Sequence, residues 1–74
     1  MKLGIYEHYK GKRYRVIGAA HHSETMEELV VYEALYDTDF GYGSLWVRPK
    51  AMFEEKIVVD SKSVERFKYI AESA

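Results

Sequence analysis

The chain has 74 residues, 15% of them aromatic, with no cysteine and with eleven Lys or Arg against twelve Asp or Glu, for a formal charge of −1. A chain this short buries only about 60% of the surface its unfolded state exposes, so one domain with one dense core is expected, and aromatic rings must supply that core in place of cross-links. The composition excludes a disulfide scaffold and a thiolate metal site, and its near-neutral charge argues against general nucleic-acid binding.

The N-terminus, Met1-Lys2-Leu3-Gly4-Ile5, lacks the apolar core of a secretory signal, and no run approaches the ~18 apolar residues of a membrane span. Together with the missing cysteines, this predicts a soluble protein in a cytoplasmic setting.

Residues 5–9 alternate weakly and stop at Lys10-Gly11-Lys12, a turn, after which Tyr14-Arg15-Val16-Ile17 resumes the strand pattern as the second arm of a hairpin. Tyr14 and Val16 share one face. Arg13, Arg15 and Ile17 share the other, and Ile17 marks where that polar side turns inward. Gly18-Ala19-Ala20 signals a bend or bulge. A polar loop follows at residues 21–25, and two readings compete beyond it. Thr25-Met26-Glu27-Glu28 has the spacing of a capping box, which favours a helix with Met26, Leu29 and Val30 on one face. Glu33 interrupts that stripe, however, and Val30, Val31 and Tyr32 prefer strands, so the reading adopted is a strand from about Glu28 preceded by a turn.

Residues 30–36 and 45–49 are the most strand-like segments, and the turn formers of residues 37–44 between them predict a hairpin with a long loop. Pro49 ends its strand, having no N–H to give a ladder. Residues 50–54 read as a short 3₁₀-like turn with Met52 and Phe53 tucked inward. Ile57-Val58-Val59 is an apolar strand and residues 60–63 a turn. Residues 64–70 read as one last strand, with Val64, Arg66 and Lys68 alternating against Glu65, Phe67 and Tyr69, and residues 71–74 are expected to fray. The sum is an all-β chain: a small, strongly curved antiparallel barrel of five to six short strands spanning residues 1–74 as one domain.

His22-Ser23-Glu24-Thr25, Leu29-Val30-Val31-Tyr32 and Leu45-Trp46-Val47-Arg48-Pro49 with Met52-Phe53 closely resemble the bacterial DUF1653 family, small proteins of unknown function. Tyr9-Lys10-Gly11 with Tyr14-Arg15-Val16, and Asp60 with Arg66-Phe67, extend the resemblance over nearly the whole chain. It implies an SH3-like barrel and favours the strand reading after Thr25. It implies no activity, ligand or cofactor. Ser61 stands where family members often have Gly, and Glu65 where they often have Pro, which predicts a looser last turn.

No catalytic, metal or phosphate-binding motif stands out. His21 and His22 are adjacent, so in a strand they point to opposite faces and do not share a metal; His22 is expected to hydrogen-bond within its own loop. Ser23 beside His22 lacks the third orienting group and oxyanion site that nucleophilic catalysis needs, so Ser23 or Thr25 is read as a backbone cap and an enzyme is disfavoured. Arg48 lies in an apolar strand and needs a counter-ion, with Glu24, Glu28 and Glu33 as candidates. Its functional reading is a forked donor for a carboxylate or phosphate, with Trp46 or Tyr32 as a stacking surface. Most of Tyr32, Tyr36, Phe40, Tyr42 and Trp46 are read as core; Phe40 and Tyr42, in the Gly-rich loop, would form an aromatic platform where exposed, and Asp37 and Asp39 are read as turn formers.

The expected ligand site therefore comprises His22, Ser23, Glu24, Thr25, Tyr32, Phe40, Tyr42, Trp46 and Arg48 at one end of the barrel, with no metal and no cofactor. Its ligand is expected to be a small anion, a nucleotide-like molecule or a peptide. The alternative is an exposed strand edge that pairs with a partner or with a second copy of the chain.

Overall fold

Period-two alternation of rings and polar side chains builds the main sheet, because each strand turns one face to a common interior. In the computed structural model, which describes residues 1–73, the strands are β1 (Gly4–His8), β2 (Arg13–His21), β3 (Glu28–Ala34), β4 (Leu45–Pro49), β5 (Lys56–Val59), β6 (Lys62–Glu65) and β7 (Phe67–Ala71). One helical turn, α1 (Lys50–Phe53), follows β4. The five-stranded antiparallel sheet has the order β4-β3-β2-β1-β7, and β5 and β6 form a separate ribbon.

The register places the rings on one face: Tyr6 lies opposite Tyr14, Val16 opposite Tyr32, Tyr32 opposite Trp46, and His8 opposite Phe67. Tyr6, Val16, Val30, Tyr32, Phe53 and Phe67 are the buried cluster there. Its centre is Phe53 from α1, stacked on Phe67 from β7 with centroids 4.1 Å apart and planes 7° from parallel. Tyr6 and Tyr32 pack on Phe53 at 5.4 and 5.6 Å. The sheet curls over this pair, so that the Arg48 guanidinium of edge strand β4 lies 5.5 Å from the centre of the Phe67 ring on edge strand β7. The two edges meet through side chains and share no ladder in the sheet order.

The chain after Thr25 is extended: residues 23–25 turn and β3 begins at Glu28, as the strand reading expects. A bulge lies in β2 between Val16 and Gly18, just ahead of the small-residue run. Its extra residue is Ile17, which is 45% exposed rather than turned inward, because a bulge pushes its unpaired residue out of the ladder.

Three further expectations are corrected. Residues 64–70 are not one strand. At Arg66 the backbone leaves the ribbon, its N–H donating to Glu55 O at 3.1 Å and its carbonyl accepting from Tyr9 N–H at 2.9 Å, so β6 pairs with β5 and β7 with β1. The count is thus seven strands instead of five or six. Residues 50–53 form an α-turn that buries Phe53 but leaves Met52 exposed, since one turn can aim only one of two neighbours at the core. Ala71 does not fray: it lies in β7, paired with Ile5, while Ala74 lies outside the described residues. No helix among the described residues is long and apolar enough to cross a membrane.

Candidate functional site

β3 sets the geometry of the expected site, because it is shared by two consecutive hairpins. Such hairpins carry their loops at opposite ends of the common strand. The seven residues of β3, at ~3.3 Å each, separate the His22 loop from the Phe40 loop by about 20 Å. The expectation of one shared end is therefore corrected, and the nine residues fall into three places.

The first is the β2–β3 loop. His22 Nδ1 faces the backbone N–H groups of Glu24 at 3.2 Å and Thr25 at 3.4 Å and accepts from them, and Thr25 Oγ1 accepts from Glu27 N–H at 3.2 Å. His22 organises its own turn, as expected. Ser23 and Glu24 are exposed beside it.

The second is the β3–β4 loop. Phe40 packs edge-on against Trp46 with centroids 5.5 Å apart. Tyr42 lies elsewhere, lining a surface depression with Arg13, Arg15 and Leu35, so the two loop rings do not form a shared platform.

The third is the concave face of the sheet, where Tyr32 and Arg48 meet. None of the carboxylates expected beside Arg48 pairs with it: Glu33 binds Arg15 at 3.4 Å and Glu28 binds Lys50 at 3.3 Å, while Glu24 stays in its loop. Alternation explains this. Arg48 lies opposite Val30 and shares its inward face, whereas Glu33 points outward and Glu28 lies beyond the register of Arg48. Arg48 Nε instead donates to the Tyr32 hydroxyl at 3.3 Å, with the guanidinium over the Phe67 ring. Its two Nη atoms have neither a hydrogen-bond nor a carboxylate partner among the described residues.

Rings that the sequence reading assigned no role complete this face. Tyr14 stands 5.2 Å from Tyr32, 5.5 Å from Tyr36 and 5.7 Å from Phe67, centre to centre, and its hydroxyl lies 2.6 Å from that of Tyr36. Burial, and then the Tyr36 hydroxyl, push the Tyr14 phenol far above its usual range, so it stays protonated. His8 packs edge-on against Phe67 at 4.9 Å. Burial depresses its pKa below 6.5, and the positive charges of Arg48, Arg66 and Lys10 depress it further. Its Nδ1 accepts the Lys10 N–H at 3.2 Å, which leaves the proton of the neutral ring on Nε2. The signal for His8 was present in its parity with Tyr6: residues two apart on a strand face the same way.

The face thus combines a guanidinium with no counter-ion among the described residues, tyrosine hydroxyls and a neutral imidazole. It offers donors and ring surfaces, and no side-chain base beside a nucleophile. No group of His, Cys, Asp or Glu among the described residues has the arrangement of a metal site.

A curved all-β sheet with a polar, ring-lined concave face is the class this architecture defines. The family model described as "Protein of unknown function (DUF1653)" matches residues 4–69, and the chain belongs to that family. It is similar to the crystal structure of a DUF1653 protein from Bordetella bronchiseptica, with a TM-score of 0.88 and 32% identity over 97% of this chain and 90% of that one. No curated protein matches it.

Proposed function

We propose that the protein is a small binding module that takes an anionic group, a carboxylate or phosphate, on Arg48, with Tyr32, Tyr14 and His8 around it. One observation carries the reading: Arg48 is half-buried, its Nε is held by Tyr32, and its Nη atoms have no partner among the described residues. A partly desolvated cation without a counter-ion is a cost to the fold, and an incoming anion offsets it. The remaining Nη donors form a fork suited to two acceptor oxygens. The neutral imidazole adds no negative charge to oppose the ligand, and the half-buried rings of Tyr14 and His8 suit a planar one such as an aromatic carboxylate or a nucleotide. The reading takes the curled sheet as an SH3-type barrel and the chain as a bacterial cytoplasmic protein, on the family resemblance and the absence of cysteine.

The test is a thermal-shift series at low salt with acetate, benzoate, inorganic phosphate and a nucleoside monophosphate. At least one should raise Tm saturably in the wild type and leave Arg48→Met unchanged. No shift with any of them, or an equal shift in the variant, overturns the reading.

A second reading is favoured by the free edge of β4, where Leu45 and Val47 are exposed on the outer face beside Val31. There a strand of a partner or of a second copy could extend the sheet. Sedimentation across a hundredfold range of concentration tests self-pairing, and a constant monomer removes it.

A further inference from the structure

The β3–β4 loop carries the exposed ring of Phe40 against Trp46 at the start of β4, with more internal bonding than a simple connection needs. Phe40 is 76% exposed and Trp46 37% exposed. The Phe40 backbone and the Trp46 indole are nevertheless held by hydrogen bonds. The Thr38 hydroxyl accepts Phe40 N–H at 3.0 Å and lies 2.9 Å from Gly41 O and 3.0 Å from Ser44 Oγ. Ser44 Oγ in turn accepts the Trp46 indole N–H at 3.0 Å. One chain of hydroxyls thus sets both the loop tip and the indole plane. Holding large apolar surface rigidly in solvent gains nothing for folding, but it removes the ordering penalty of a ligand that binds there.

The rings border a surface cleft of about 350 Å³ shared with Asp37, Thr38, Asp39 and Tyr36. Asp37 and Asp39 make no ion pair and no side-chain hydrogen bond among the described residues. Aromatic faces attract cations through their quadrupole, and nearby carboxylates add a direct charge attraction. The same loop already shows the preference: the Lys12 ammonium lies 4.9 Å from the centre of the Tyr36 ring.

We propose that this cleft is a second binding site, for an organic ammonium ion seated against Trp46 and Phe40 with Asp37 and Asp39 as its counter-charges. The assignment is separable from the Arg48 reading because it takes the opposite ligand charge, although Trp46 lies two residues from Arg48 on the same face of β4. Alkylated ammonium groups fit best, because they shed water readily and present methyl groups to the rings. The group could arrive on a free amine or on a lysine side chain of a protein, and these sources are separable by experiment.

Trp46 is the single tryptophan of the chain, so its fluorescence reports occupancy directly. The wild type is titrated with tetramethylammonium, with N-acetyl-lysine amide in unmodified and trimethylated forms, and with 3,3-dimethylbutanol as an uncharged compound of similar shape. A saturable change with the cations and none with the alcohol is expected. A stronger response to the acetyl-lysine compounds than to tetramethylammonium assigns the site to a lysine side chain, and the reverse order to a free amine. Phe40→Ala should weaken the cation by about two- to five-fold, the range for one exposed cation–π contact. Asp37→Asn with Asp39→Asn should weaken it further and flatten its salt dependence. Arg48→Met should not weaken it, since it removes a nearby positive charge. These loop positions are exposed, and an unaltered circular-dichroism spectrum and Tm establish that each variant is folded. An equal response to the alcohol, or affinity unchanged in both loop variants, overturns the proposal.

Discussion

Arg48 Nε donates to the Tyr32 hydroxyl at 3.3 Å, so the inward-facing cation of edge strand β4 is held by a phenol of its neighbour β3 and by no carboxylate. The contact leaves the charge of the guanidinium unneutralised beside the Phe67 ring. Removing the charge while keeping the chain length should therefore do little harm. Arg48→Met preserves packing over Phe67 and removes a desolvated ion, so chemical denaturation should give a stability within about 1 kcal/mol of wild type, or higher. A loss of several kcal/mol would mean that the guanidinium is satisfied structurally.

The neighbourhood of His8 predicts a pH dependence of known sign. Its pKa in the fold is depressed below 6.5 by burial and then by Arg48, Arg66 and Lys10. The contribution of this residue is therefore fully present above about pH 6.5 and is lost as pH falls through the depressed value, because the unfolded chain takes up the proton first. His8→Gln should flatten that part of the stability–pH profile measured by urea denaturation. An anion on Arg48 offsets one of these charges, so sulfate should raise the His8 pKa read from its imidazole NMR signals in the wild type and leave it unmoved in Arg48→Met.

The β5–β6 turn carries strain that one substitution relieves. Asp60 and Ser61 both have positive φ, 51° and 65°, the conformation of a tight hairpin turn that glycine adopts without penalty. Ser61→Gly should stabilise the protein by about 0.5–1 kcal/mol, net of the extra freedom glycine has when unfolded. A lower Tm in this variant would count against the turn geometry.

Gly4 shows the reverse case. Its φ is +135°, and a Cβ there would lie 2.5 Å from the carbonyl oxygen of Ala71 on the adjacent strand. Gly4→Ala must move the β1–β7 pairing, and a loss of about 2 kcal/mol or more is expected from thermal or denaturant unfolding.

Phe53 makes the largest single demand on stability. It is 1% exposed and stacks on Phe67. Phe53→Ala removes a ring from a core with little else to fill the space, at about 3–5 kcal/mol. A domain of this size holds only about 4–11 kcal/mol in total, so the variant should be largely unfolded at 37 °C by circular dichroism, whereas Phe53→Leu should remain folded.

Strand identity was readable locally because alternation, turn formers and β-branched runs act over a few residues. The two N-terminal hairpin strands and the bulge near Gly18 follow from such short-range chemistry, whereas the start of β3 at Glu28, where a capping box competed with β-branched residues, was settled by the family resemblance. What the chain's own residues could not disclose were choices made by distant segments. Arg66 breaks the last strand because its backbone binds Glu55 and Tyr9. Arg48 goes without a carboxylate because ladder register and strand parity send Glu28 to Lys50 and Glu33 to Arg15. His8, Tyr14 and Phe67 become neighbours of that guanidinium only when the sheet curls and brings a side chain of β4 over a ring of β7. Local periodicity says which way a side chain points. Register and curvature, set by contacts across the whole fold, decide what it meets there.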